Sequence, residues 1–151
     1  MLQRAGAKDA GLIDSLWRAP ANANWIEPPD EGEIDASISE GLAFVWQVEG
    51  SPVGFAVMMK WVPRVYGLTA FATTRPGQGA PFLRALLAQV FTELDGHRIG
   101  FDVTADNTRA IALYDQLGFV TEGRIRECWM RADGNWVDCL LMGLLARDWQ
   151  A

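Results

Sequence analysis

Apolar positions recur along this chain with two different periods. Leu12, Ile13, Leu16 and Trp17 share one side of a helix, predicting a short amphipathic helix over 9–18, and a second helix over 31–40 stops at Gly41. Between them Pro20, Pro28 and Pro29 mark 19–30 as a loop. The spacing then changes to that of strands, over 42–49, 53–60 and 65–73, with turns at Gly50-Ser51-Pro52 and Pro63, which predicts an antiparallel meander. Helical spacing returns with Phe82, Leu83, Leu86, Leu87, Val90, Phe91 and Leu94 and runs to Gly96. A strand over 98–104 follows, then a helix over 107–117 that places Ala110, Ile111, Tyr114 and Leu117 on one side and stops at Gly118. Strands over 119–131 and 136–145 flank Asp133-Gly134, a two-residue turn signal, so the chain closes in a hairpin. Residues 2–4 can add a first strand.

Length and composition fit one compact domain over 1–151: half the residues are apolar, with seven Trp and seven Phe, which excludes disorder. The net charge of -6 is a poor footprint for a phosphate backbone or an anionic bilayer, so no nucleic-acid or membrane partner is expected. The longest apolar runs, 52–59 and 139–146, fall short of the roughly 20 residues of a membrane helix. The first twenty residues hold Lys8, Asp9 and Asp14 and no signal-like apolar stretch, and the expected location is cytoplasmic.

One histidine and two cysteines cannot assemble a structural zinc site, and no metal is expected. His97 sits in the turn Asp95-Gly96-His97, where a solvated side chain is the ordinary outcome, so chemistry must run on carboxylates, hydroxyls, backbone amides or a cosubstrate. If Asp133-Gly134 is a two-residue turn, the count back along the hairpin sets Cys128 opposite Cys139. Directly paired positions are slightly too far apart for an unstrained bridge, so two free thiols are expected in a reducing cytosol.

Two segments can hold a ligand. Gly77-Gln78-Gly79-Ala80 joins a strand to the long helix, where free backbone N–H groups meet the positive end of the helix dipole and can bind a phosphate; the same glycines also serve any tight turn. Asn107 and Tyr114, two helical turns apart, point the same way with the small Ala110 between them, an open face for a ligand. Tyr114 can equally pack its ring in the core and bond a carbonyl.

Asn107-x-x-Ala110-x-x-Leu113-Tyr114-x-x-x-Gly118-Phe119-x-x-Glu122-Gly123 resembles the motif of the GNAT (Gcn5-related) N-acetyltransferases, without gaps. Arg126, Gly134-Asn135-Trp136-x-Asp138, Met142 and Asp148-Trp149 are similar to the closing hairpin of the branch containing the ribosomal-protein N-terminal acetyltransferases. The resemblance implies an α/β (α+β) fold: a mostly antiparallel mixed sheet of six to seven strands flanked by about four helices. It implies transfer of an acetyl group from acetyl-CoA to a primary amine by direct attack in a ternary complex, without a metal. Phe71, Ala72 and Thr73 would offer backbone amides to the acetyl group and pantetheine, Gly77, Gln78, Gly79 and Ala80 would bind the pyrophosphate, and Asn107, Ala110 and Tyr114 would contact the cosubstrate. Tyr114 would be the general acid for the departing thiolate. The family often dimerises through edge strands, so a homodimer is compatible.

The chain departs from the family's turn at two positions: Pro76 stands where Arg or Gln is usual, and Pro81 removes an amide that would face the pyrophosphate. A hydrogen bond to a charged group is worth ~1.5–3 kcal/mol, so Arg75, Gln78 or Arg84 must compensate or CoA binds weakly. A second reading therefore stands beside the first: a catalytically degenerate protein of this fold that binds a ligand or a partner protein. Asp102, alternating with Phe101 and Val103, and Glu27 in the proline-rich loop are candidates for the base; Trp25 in the same loop is placed to touch substrate. The acceptor, a small-molecule or peptide amine, is left open.

Overall fold

The computed structural model describes all of Met1–Ala151. Seven strands form one sheet: β1 (Leu2–Arg4), β2 (Ala43–Val48), β3 (Ser51–Val62), β4 (Val65–Thr73), β5 (Arg98–Thr104), β6 (Val120–Met130) and β7 (Trp136–Leu145). Their order is β1-β2-β3-β4-β5-β7-β6, antiparallel except for β4 beside β5. Four α-helices, α1 (Ala10–Trp17), α2 (Glu33–Ser39), α3 (Gly79–Ala88) and α4 (Thr108–Gln116), complete the chain, with α3 continuing into a π-helical turn at Gln89–Glu93. The expected mixed sheet and helix count are both present.

Each face of the sheet has its own core. Ala56 and Met58 of β3 and Ile99, Phe101 and Val103 of β5 pack with Phe82, Leu83, Leu86 and Leu87 of α3 and Tyr114 of α4. Phe55 and Val57 pack on the other face with Ile13 and Trp17 of α1 and Ile34 of α2. Strand alternation thus assigns α3 and α4 to one side and α1 and α2 to the other.

Two irregularities build the functional geometry. β4 and β5 are paired only at Val65↔Arg98, Tyr66↔Ile99 and Gly67↔Gly100, so beyond Gly67 the two strands diverge and the sheet opens. In β4 the register against β3 shifts between Val57↔Ala70 and Met58↔Leu68, leaving Thr69 as an extra residue. A one-residue bulge inverts which side chains face which layer. Tyr66 and Leu68 lie with the α3 side, and after the bulge Phe71 does so as well, while Ala70 and Ala72 turn toward α1.

The closing hairpin corrects two expectations. Asp133-Gly134 is not a two-residue turn: pairing ends at Met130↔Trp136, so the loop spans 131–135, with Gly134 at φ 89° and the Asp133 carboxylate accepting from Asn135 N at 2.9 Å. A bulge then sets Arg126, Glu127 and Cys128 against Asp138 alone, and Ile125, not Cys128, pairs with Cys139. The Asp138 carboxylate accepts from Glu127 N and from Arg124 Nε, which holds the bulge in shape. The bulged geometry carries the Cys128 sulfur onto that of Cys139, and the two form a disulfide with Cα atoms 6.0 Å apart in place of two free thiols. Thiol titration of protein denatured without reductant is expected to find no reactive thiol; two equivalents would show the cysteines reduced.

Candidate active site

Where β4 and β5 diverge they leave a cleft of about 910 Å³ running through the sheet. Its two long walls are strand edges without a strand partner, Leu68–Thr73 on one side and Phe101–Thr104 on the other. Such edges present rows of free backbone N–H and C=O groups, which an extended amide-bearing chain can pair with as an added strand would. Phe71, Ala72 and Thr73 all line the cleft on the β4 edge.

At one end the β4–α3 turn closes the cleft. Gly77 adopts φ 80°, a left-handed conformation that favours glycine. A Cβ on Gly79 would sit 3.1 Å from the end of the Leu113 side chain of α4, a tight contact that would press that side chain aside. The first turn of α3 leaves the amides of Gly79 and Ala80 without an acceptor inside the helix, and Pro81 has none to offer. Gly77, Gly79 and Ala80 line the cleft, but Gln78 does not: its Oε1 accepts from Trp46 Nε1 at 2.8 Å, turning the side chain toward β2. Of the residues expected to offset the prolines, Arg75 lines this end and Arg84 does not. Arg109 of α4 joins it, a cation the sequence reading missed although it sits inside the motif.

Helix α4 supplies the wall on the α3 side. Asn107 caps it, its Oδ1 accepting from Ala110 N at 3.3 Å, and Asn107, Ala110 and Tyr114 all line the cleft. The Tyr114 ring is buried, with its centroid 4.4 Å from that of Phe101 and 5.8 Å from that of Phe119. Its hydroxyl forms no hydrogen bond within the chain and opens to the cleft, so the carbonyl-bonded core alternative does not hold. Burial pushes the phenol far above its ordinary pKa, leaving a neutral O–H donor at every working pH.

The opposite mouth is acidic and aromatic. Asp102 stands on the face of β5 opposite Phe101, and Glu27, Asp30 and Glu33 come to the same mouth from the proline-rich loop and α2. Both base candidates are therefore brought together. Burial raises the Asp102 carboxyl above its ordinary range; burial also raises Glu27, with the negative charges of Asp102, Asp30 and Glu33 adding to the effect. Trp17, Trp25, Trp61 and Trp129 line this part of the cleft. The Trp61 indole sits against Gly67, where a Cβ would overlap the ring, so the glycine at the point of divergence makes room for it. His97 is exposed and outside the cleft, as its turn position predicts. No cluster of residues able to hold a metal ion is present, and no helix is long and apolar enough to cross a membrane.

The family model described as the acetyltransferase (GNAT) family matches residues 11–119. A GNAT-family acetyltransferase from Streptococcus pneumoniae superposes with a TM-score of 0.81 at 20% identity, over 96% of this chain and 98% of that one. Spermidine N-acetyltransferase from Vibrio cholerae, solved in complex with CoA and spermine, gives 0.78 at 22%, over 98% and 96%. The ribosomal-protein-S18-alanine N-acetyltransferase from Escherichia coli gives 0.75 at 26%, over 100% and 95%.

Proposed function

This chain belongs to the GNAT acetyltransferase family, and we propose that residues 1–151 act as one unit that transfers the acetyl group of acetyl-CoA to a cationic primary amine. The observation that carries the reading is the position of acid and base on opposite sides of the sheet: the Tyr114 hydroxyl enters the cleft from the α4 side, Asp102 and Glu27 from the α1–α2 side. An acyl transfer needs a proton removed from the nucleophile and one supplied to the leaving group, and this arrangement offers both without a covalent enzyme intermediate.

In this reading the free edge of β4 at Phe71, Ala72 and Thr73 pairs with the acyl and pantetheine amides, and the amides of Gly77, Gly79 and Ala80 take the pyrophosphate together with the side chains of Arg75 and Arg109. Gln78 contributes its backbone alone. The acidic mouth attracts an ammonium, and Asp102 removes its proton; Glu27, Asp30 and Glu33 hold the charge before that step. The amine nitrogen then bonds the acetyl carbon as the carbon–sulfur bond breaks, Tyr114 gives its proton to the sulfur, and the second nitrogen proton leaves to solvent, from which the Tyr114 phenolate is reprotonated. A thiol of pKa about 8.5 is a stronger acid than the buried phenol, so the Tyr114 O–H hydrogen-bonds the sulfur as its charge develops and the transfer is drawn on by reprotonation of the phenol from solvent. A cytoplasmic location and a homodimer belong to the same reading and are tested separately by fractionation and sedimentation.

Calorimetric titration with acetyl-CoA tests the reading first, because Pro76 and Pro81 alter the turn. Micromolar binding is expected, weakening roughly tenfold in Arg75→Ala or Arg109→Ala, the loss expected for a charged hydrogen bond. CoA release should follow with one of spermidine, an alanine-initiated peptide, a free amino acid or an aminoglycoside. No binding would mean that the turn has lost the cosubstrate and would favour a ligand-binding role without transfer.

A further inference from the structure

Arg131 opens the loop between β6 and β7, and its guanidinium is almost entirely engaged inside the protein. Nη1 and Nη2 donate to Oδ2 and Oδ1 of Asp106 at 2.8 and 2.7 Å, and Nε donates to the Asn24 carbonyl at 2.9 Å. The cation also lies 5.3 Å from the ring centroid of Trp25 and 5.9 Å from that of Trp129. Its side chain is 12% exposed although it lines no part of the cleft. Three segments remote in sequence therefore meet on one side chain: the proline-rich loop, the β5–α4 connection and β6.

The loop has separate fastenings on its other side. Trp17 Nε1 donates to the Glu27 carbonyl at 2.7 Å, and Asn22 Nδ2 donates to the Leu16 carbonyl at 2.8 Å, so both tie the loop to α1. Arg131 ties it across the mouth to the β5 side. We infer that Arg131 is a positioning residue: it latches Asn24–Glu27 to the β5–α4 connection and so holds Glu27 over the cleft, facing Asp102, where an incoming ammonium is received. The ammonium rests on the acetyl-transfer reading; the latch does not. A guanidinium suits the task because its planar fork serves both carboxylate oxygens while Nε still reaches a carbonyl, and its faces pack on aromatic rings; a lysine ammonium is a point charge and cannot do all three. The Asp106 carboxyl is correspondingly held below its ordinary range by Arg131.

The test reads Glu27 directly. Charged groups facing it are Asp102 from β5, Asp30 from its own loop and Glu33 from α2, all acidic. A carbon-13 pH titration of the Glu27 carboxyl, assigned by its loss in Glu27→Gln, should place it above the ordinary carboxylate range in the native chain. In Arg131→Met the released loop carries the exposed Glu27 carboxyl away from Asp102 and the other acidic groups, and the titration should fall toward the ordinary value. KM for the amine should rise by no more than the roughly two- to fivefold expected for loss of the Glu27 charge itself, with kcat and acetyl-CoA affinity little changed. Arg131→Lys should recover only part of the shift. Asp106→Asn, which leaves the arginine in place, should give the same shift in smaller degree and serves if Arg131→Met does not fold. An unchanged Glu27 titration in the folded variants overturns the latch. Failure of the native protein to bind acetyl-CoA overturns the transfer reading and leaves the titration to judge the latch alone.

Discussion

Tyr114→Phe is expected to lower kcat by ~10²–10⁴-fold, the usual contribution of a positioned general acid. Acetyl-CoA affinity should change by less than about twofold, because the substitution deletes one oxygen and keeps the ring. The ring is what packing uses: it lies between Phe101 and Phe119 in the core on the α3 side, and phenylalanine preserves both contacts. The hydroxyl has no partner within the chain, so its removal leaves no orphaned donor or acceptor and the melting temperature should not fall. Stopped-flow detection of CoA release and calorimetry on the same preparation separate the two effects. A variant within threefold of the native kcat would mean that the thiolate leaves unassisted or takes its proton from water, and the role assigned to Tyr114 would be withdrawn.

Most of the framework is written in local pattern. The helix over 107–117 is legible because Asn107 is a good cap, Gly118 can take the left-handed φ of 96° that ends it, and the apolar face between them has helical spacing. In the structure Asn107, Ala110 and Tyr114 all line one cleft. The cleft itself is not local. The pattern of Val65–Thr73 and Arg98–Thr104 reads as two strands, but nothing in either says that pairing stops after Gly67↔Gly100. The bulge at Thr69 is silent for the same reason: it is a relation between β4 and β3, not a property of β4.

Counting fails in the hairpin by the same logic. Asp133-Gly134 has the composition of a two-residue turn, yet the loop spans 131–135 and Arg126–Cys128 bulge out against Asp138, so a register inferred from the turn alone moves every later pair. The acidic mouth was half legible. Asp102 followed from alternation, whereas the approach of Glu27 depends on a loop fastened by Trp17 and Arg131 through contacts that span 10 and 107 residues. Gln78 shows the converse: a motif position whose side chain is taken up by Trp46, a residue 32 positions away that no turn pattern contains.

The pH dependence of the two facing carboxylates gives the other large effect. Asp102 must be ionised to take a proton, and burial raises its pKa, so the acid limb of kcat/KM should lie above the ordinary aspartate range, with activity appearing as pH rises through it. Asp102→Asn should lower kcat by ~10²–10⁴-fold. Glu27→Gln removes a negative charge that opposes ionisation of its neighbour, since Coulomb repulsion between the pair is mutual. The limb should therefore move to lower pH with kcat largely kept, while KM for a cationic amine rises roughly two- to fivefold, the scale of one partly exposed ion pair. Stability separates these effects from misfolding by its sign. A carboxyl raised on folding favours the native state below its unfolded pKa and loses that advantage as pH rises through the folded value, so at neutral pH each ionised carboxylate opposes folding. Asp102→Asn should accordingly melt no lower than the native chain at pH 7 while losing turnover, the trade expected where function keeps a charge at a place that disfavours it. If Glu27→Gln abolishes turnover and Asp102→Asn only shifts the limb, the two carboxylates exchange roles, and the base belongs to the latched loop rather than to the strand.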